Sequence, residues 1–330
     1  AEMFRLGDPQ GEYGLRNAIS SYLHQARGVN CQPEQIIVGA GNDYLLMLLT
    51  TIIGTDHKVA LENPTYRQAY RLFENLTYEV CTVGMDEKGM CIPELEKSGA
   101  DVAFVMPSHQ YPLGIVMPIQ RRIELLKWAN AAKGRYIIED DYDSEFRYKG
   151  KPIPALQGFD AQEKVIYTGT FSKSIAPAIR VGYIVLPKPL LTVYMKKCRF
   201  LNSTVSKVDQ LILQKFIENG YYERHLNKTR ALYKNRHDVL LGCLKEGKIK
   251  CKISGENAGV HLLLHFSGEN EERLIERAAQ KEVKVYGLSE YYVEEKKGRQ
   301  AKEAIILLGY ANMGEEQIRQ AVKLLSEAWK

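Results

Sequence analysis

Short β-branched runs alternate with helical spacing through the first two hundred residues, and this alternation restricts the fold more than any other feature. The runs at 35–38, 57–61, 78–83, 102–106 and 135–138 are apolar and brief. Between them, 44–53, 66–73 and 119–132 repeat their apolar residues at helical intervals, as does 15–26 upstream, with Leu15, Ala18, Ile19, Tyr22 and Leu23 on one face. Strand–helix alternation makes βαβ units and hence a mostly parallel sheet, in an α/β fold. In the helix 119–132, Arg121, Arg122 and Lys127 are expected to point outward.

The character changes after Pro187. Helices are expected at 190–199, 206–218 and 221–244, the last with Arg224, Lys228, Arg230, Lys234 and Arg236 on a solvated face. Strands at 248–253, 258–266, 283–286 and 304–308 then mix with helices at 271–280 and 315–329. The expected plan is a large domain over 1–200 and a smaller α+β domain over 201–330, joined by the long helices. A chain of 330 residues is long enough for two domains. Its net charge of +5 does not argue for nucleic-acid binding. Six scattered cysteines without a Cys-x-x-Cys pair suit a reducing cytoplasm and speak against a zinc site. No apolar run approaches the roughly 18 residues of a membrane span. The chain opens Ala1-Glu-Met-Phe without an initiator methionine, so a fragment of a longer protein is expected.

The chemistry concentrates at 165–186, where two apolar strands flank a polar loop holding Gly169, Thr170, Ser172, Lys173 and Ser174. A lysine drawn inside by its flanks is paired or neutral, and a neutral lysine forms Schiff bases with carbonyls. Thr170, Ser172 and Arg180 beside it offer a phosphate clamp. A Schiff-base lysine next to a phosphate clamp is the local requirement of pyridoxal 5′-phosphate (PLP). The alternative is a solvated hairpin with Arg180 as a surface charge.

Gly39-Ala-Gly-Asn-Asp43 follows a strand and opens a helix, which is an anion cradle or, taken alone, a capped tight turn. Glu139, Asp140 and Asp141 crowd at the end of another strand. Asp140 is expected to face the sheet mouth, where a carboxylate keeps a pyridine nitrogen protonated, and Asp141 to be solvated. Residues 39–43, Tyr66, His109, Asp140, Tyr142 and Lys173 all fall just after predicted strands, where parallel sheets collect their functional groups.

In this order, Gly-Ala-Gly-Asn-Asp, Asn-Pro-Thr-Tyr, Pro-Ser-His-Gln-Tyr-Pro-Leu-Gly, Glu-Asp-Asp-Tyr-Asp-Ser-Glu-Phe and Gly-Thr-Phe-Ser-Lys-Ser resemble fold-type I PLP aminotransferases over nearly the whole chain. The third and fourth runs are similar to the MocR/GabR branch, bacterial regulators with a winged helix-turn-helix ahead of an aminotransferase-like sensor. The resemblance implies Lys173 as the Schiff-base lysine, Asp140 on the pyridine nitrogen, Tyr142 near the 3-oxygen and Tyr66 stacked on the ring. It implies Ala40, Gly41, Asn42, Thr170, Ser172 and Arg180 as the phosphate cup, with His109 near the position of a ring-contacting Asn. Aminotransferases carry an Arg for the substrate carboxylate where this chain reads Ile305-Ile-Leu-Leu-Gly-Tyr-Ala311. The branch's effector arginines align with Gln68 and Glu290.

The expected function is therefore a PLP-binding, homodimeric sensor domain, with a partner's segment around 8–13 able to reach the site. Its effector would be a small amino compound forming an external aldimine, and its contact with DNA would run through a head outside this chain. The rival is a free-standing aminotransferase.

Overall fold

The computed structural model describes residues 5–148, 153–293 and 303–330. Eight strands form the larger sheet: β1 (Ile36–Gly39), β2 (Lys58–Asn63), β3 (Glu79–Asp86), β4 (Gly89–Met90), β5 (Val102–Val105), β6 (Tyr136–Asp141), β7 (Val165–Thr170) and β8 (Gly182–Val185). Their order is β1-β8-β7-β6-β5-β2-β3-β4. The central run from β3 through β2, β5 and β6 to β7 is parallel, and β8, β1 and β4 join antiparallel. The strand period of two explains the two covered faces. Ile138 and Ile166 pack on one face with Leu45, Leu49 and Phe73. Ile137 and Val165 pack on the other with Trp128, and Tyr167 with Leu15 and Ile19.

The covering helices are α1 (Tyr13–Arg27), α2 (Asn42–Ile53), α3 (Arg67–Asn75), α4 (Ile92–Ser98), α5 (Ile119–Asn130), the one-turn α6 (Phe171–Ser174) and α7 (Lys188–Lys197). In α5 the outward expectation holds for Lys127 and fails for the two arginines. Arg122 is 0% exposed and Arg121 is buried. Arg122 donates to the carbonyls of Met117, Pro107 and Pro154, and Arg121 to Asp86 and the Met90 carbonyl. A guanidinium with its donors met can be buried where an unpaired one cannot.

After α7, α8 (Lys207–Glu218) and α9 (Tyr221–Glu246) follow. A second, antiparallel sheet is built from β9 (Lys252–Ser254), β10 (His261–Ser267), β11 (Tyr286–Gly287) and β12 (Glu303–Gly309), in the order β11-β12-β10-β9. The helices α10 (Glu271–Gln280) and α11 (Glu315–Ala328) cover it. The two ends of α9 serve different cores: Tyr222 and Leu226 join the cluster of Leu15 and Ile19, whereas Leu240 and Leu244 join Leu262, Ile306 and Leu325.

Candidate functional site

The carboxyl ends of the parallel strands and the N-terminus of α2 enclose a cavity of about 270 Å³. Asn42, Tyr66, Gln68, Asp140, Tyr142, Thr170, Ser172, Lys173 and Arg180 line it, joined by Asp43 and Tyr111. Nine side chains singled out in the sequence thus converge from five segments, as the carboxyl-end rule for parallel sheets requires.

Lys173 rides on α6, whose start is set by Thr170. The Thr170 hydroxyl accepts the Ser172 amide at 3.1 Å and caps the turn. Lys173 is exposed toward the open cavity, so the expected burial of its ammonium is not observed. Arg180 takes a left-handed backbone (φ 47°) and projects a side chain that is 55% exposed, with its guanidinium 3.1 Å from Asp43. Gly41 caps α2 at φ 85°, and a Cβ there would stand 2.6 Å from Arg180 Nη2. The Ser172 hydroxyl is buried without a hydrogen-bond partner. A helix N-terminus, a glycine approach, an arginine and an unsatisfied hydroxyl are the groups with which an anion could be held.

Asp140 lies on the cavity side of β6, within 3.3 Å of both Thr168 Oγ1 and Asn42 Nδ2. Burial pushes its carboxyl up to about 7, against the Thr168 hydrogen bond and with help from Asp141 and Asp143. A cation docked against it would restore the carboxylate, which is the behaviour needed opposite a pyridinium. Asp141, one residue on, faces the other way and corrects the expectation of a solvated acid. It is buried, 2.8 Å from Arg27 Nε and 2.6 Å from the Tyr167 hydroxyl. Burial opposes its ionisation, but Arg27 and Tyr167 outweigh that and hold the carboxyl below its ordinary value.

Tyr66 immediately precedes α3, and its hydroxyl donates to Gln68 Oε1. Burial, with Asp43 and Asp140 nearby, pushes the Tyr66 phenol up to about 12, so it stays neutral. His109 does not line the cavity. It is 2% exposed in the layer behind, between Tyr142 and Asp143. The residue that its loop sends to the cavity is Tyr111, whose hydroxyl lies 2.9 Å from that of Tyr291. Asp43 belongs to the 39–43 run and Tyr111 to the loop after β5, both singled out in the sequence as stretches, but the sequence assigns neither side chain a contact of its own. Ala40 is outside the lining and gives its amide to Thr204 Oγ1 at 3.0 Å. Glu290 is exposed on the short turn Leu288–Tyr291, outside the lining, and its carbonyl accepts from Arg67 Nη1 at 2.8 Å. Among the described residues, no cluster of His, Cys, Asp and Glu is placed to hold a metal ion, and no helix is long and apolar enough to cross a membrane.

The profile of the family described as Aminotransferase class I and II matches residues 2–325. The chain belongs to that family. Within the aminotransferase class I and II family it groups with MocR-type regulators. It is 40% identical to the uncharacterized HTH-type transcriptional regulator YdeL of Bacillus subtilis, over 100% of this chain and 70% of YdeL. It is 31% identical to the "Probable rhizopine catabolism regulatory protein MocR" of Rhizobium meliloti, over 97% of this chain and 64% of that protein. Among solved structures, Pyrococcus horikoshii kynurenine aminotransferase in complex with PMP superposes with a TM-score of 0.83 at 26% identity, covering 99% of this chain and 82% of that one.

The family is PLP-dependent. The residues present fit that cofactor: the unsatisfied Ser172 hydroxyl, the Gly41 approach beside Arg180 and the buried Asp140 offer one donor set for a phosphate and one acceptor for a ring nitrogen.

Proposed function

We propose that this chain is the PLP-binding, effector-sensing and dimerisation domain of a MocR-type transcription regulator of the bacterial cytoplasm. It would reach DNA through a winged helix-turn-helix outside this chain. The observation that carries the reading is the meeting of Lys173, Asp140 and Arg180 on one cavity, in a chain 40% identical to an HTH-type regulator. When bound, PLP supplies a carbonyl carbon that combines with primary amines and a ring that withdraws electrons. Lys173 would hold it through Nζ; Arg180, Ser172 and the Gly41 turn would hold its phosphate. Asp140 would keep a proton on the ring nitrogen, Tyr142 would serve the 3-oxygen and Tyr66 would offer its ring face.

The effector is a small amino compound. With Lys173 and Arg180 committed, the other described polar lining residues include Asp43, Gln68, Tyr66 and Tyr111, none of them cationic. That supports an effector with a second amine, or with its carboxylate far from the reacting amine, as in a dipeptide such as D-alanyl-D-alanine. Glu290 lies outside the lining, its carbonyl bonded to Arg67, while the next residue, Tyr291, has its hydroxyl 2.9 Å from that of Tyr111 in the lining.

Signal transmission has a physical route. Ser174, next to Lys173, has its hydroxyl 2.9 Å from the Tyr222 hydroxyl and its carbonyl 2.9 Å from His225 Nε2, both at the start of α9. A change in where Lys173 points therefore loads the helix that reaches the second core, which is how a ligand biases two arrangements.

PLP added to the purified protein should give an absorbance band near the visible edge, and borohydride should fix the cofactor to one lysine. Lys173→Ala should lose both; if both persist, the assignment is wrong. In a screen of amines by spectral shift, wild type should ignore GABA, and Glu290→Arg should alter the ranking. A GABA response at low concentration, unchanged in Glu290→Arg, would sink the effector reading.

A further inference from the structure

His109 is buried directly behind the cofactor cavity, on the loop after β5. Its Nδ1 lies 2.9 Å from Asp143 Oδ2 and 3.1 Å from the Tyr142 hydroxyl. The Asp143 side chain is itself 1% exposed. An ionised carboxylate only accepts hydrogen bonds, so the imidazole nitrogen that faces it carries the hydrogen. Nδ1–H then serves the carboxylate and the phenol oxygen together. The phenol's hydrogen has the Asp143 carboxylate within reach on that side and the cavity that Tyr142 lines on the other; with Nδ1–H on the phenol oxygen, the phenol stays a donor, and an anionic oxygen docked in the cavity would take its hydrogen. In the opposite tautomer Nδ1 would take the phenol's hydrogen, and the cavity would lose its donor.

The second sheet closes this unit from the other side. Gly259, at φ 77°, leaves space that only hydrogen can occupy, since a Cβ there would stand 2.0 Å from His109 Cε1. His261 on β10 has its ring 5.3 Å from that of His109 and its Nε2 2.9 Å from the Pro112 carbonyl. Burial, helped by His109, lowers the His261 pKa to about 4, so it stays neutral and donates to that carbonyl. His109 Nε2 has no hydrogen-bond partner, as the bare nitrogen of the Nδ1–H tautomer would not require one in this apolar corner.

We propose that His109, held by Asp143, is a positioning residue that fixes the Tyr142 hydroxyl as a hydrogen-bond donor into the cofactor cavity. The proposal rests on the assignment of Tyr142 to the 3-oxygen of PLP. Other titratable groups facing that hydroxyl are Asp140, Asp143 and Tyr111, with Lys173 across the cavity and His261 beyond on the second sheet.

The test is the absorbance of the PLP-loaded protein against pH, with melting temperatures of the PLP-free variants as the check on folding. A donor to the 3-oxygen stabilises the deprotonated chromophore, so its loss raises the midpoint. Tyr142→Phe, His109→Phe and Asp143→Asn should each raise it by about one pH unit. The Tyr142→Phe/His109→Phe double variant should shift no further than either single variant. His109→Asn, whose amide N–H stands near the place of Nδ1–H, should keep the wild-type midpoint. If His109→Phe unfolds, Asp143→Asn, nearly isosteric, decides. A shift in Tyr142→Phe with none in Asp143→Asn or His109→Phe overturns the proposal. So does a full shift in His109→Asn, which would make His109 a space-filler. A wild-type protein with no chromophore overturns the cofactor assignment beneath it.

Discussion

Glu62, at the carboxyl end of β2, is 1% exposed, and burial pushes its carboxyl up to about 8, only partly opposed by the nearby Met106 backbone and Gln110 side chain. In the unfolded chain the same group titrates near its ordinary 4.5. Between these values the folded state holds a proton that the unfolded state has released. Stability therefore falls as pH rises through the window and levels off above it. Glu62→Gln should raise the melting temperature of the PLP-free protein at pH 8, by about 2 kcal/mol of stability, and leave it unchanged at pH 4. An equal gain at both pH values would show that charge is not the cause. Asp140 and Asp141 make the complementary point. Strand alternation sends one to the cavity and the other to Arg27, and their carboxyls shift in opposite directions.

At the scale of elements, α9 is the connection that matters most. Its 26 residues span about 39 Å, enough to run from the cluster around Tyr222 to the one around Leu240. Gly242 sits inside its last two turns, where a Cβ would meet no atom within 4 Å. Gly242→Ala should therefore stabilise the protein by about 0.5–1 kcal/mol through helix propensity and a less free unfolded chain. Chemical denaturation with an unchanged m-value checks this, and a lowered midpoint would mean that the glycine has a contact outside this chain. The one-turn α6 behaves differently: too short to hold itself, it depends on the Thr170 cap and on α9 through Ser174.

For the whole molecule, the exposed apolar side chains of α8 and the start of α9 are the feature that a single copy leaves unexplained. Val208, Ile212 and Tyr221 are exposed together around a shallow apolar depression with Phe216. Patches of this kind mark association surfaces. The segment expected to reach a partner's site, 8–13, lies against α8 of its own chain, with the Glu12 amide 2.7 Å from Gln210 Oε1 and Glu12 beside Lys207. Sedimentation at micromolar concentration should give a dimer, and Val208→Glu with Ile212→Glu should weaken it. A monomeric wild type that still binds PLP tightly would refute the homodimer.

The alternation of short strands and helices is a local property, so the parallel sheet could be read directly from the chain. The placement of Asn42, Tyr66, Asp140 and Lys173 at its carboxyl ends followed from topology alone. Charged residues were harder, because periodicity says which way a side chain points but not what meets it there. Arg121 and Arg122 looked like solvent-facing charges until carbonyls from Met90, Pro107 and Pro154 closed around them. Asp141 looked solvated because its partner, Arg27, lies 114 residues away in sequence. The exchange of His109 for Tyr111 at the cavity wall arose in a loop without a repeating pattern. Sequence by itself determined which residues could supply the chemistry and at which strand ends they lie. Tertiary structure alone decided which charges are paired and which are left facing the cavity, because burying a charge depends on partners that only the folded chain brings together.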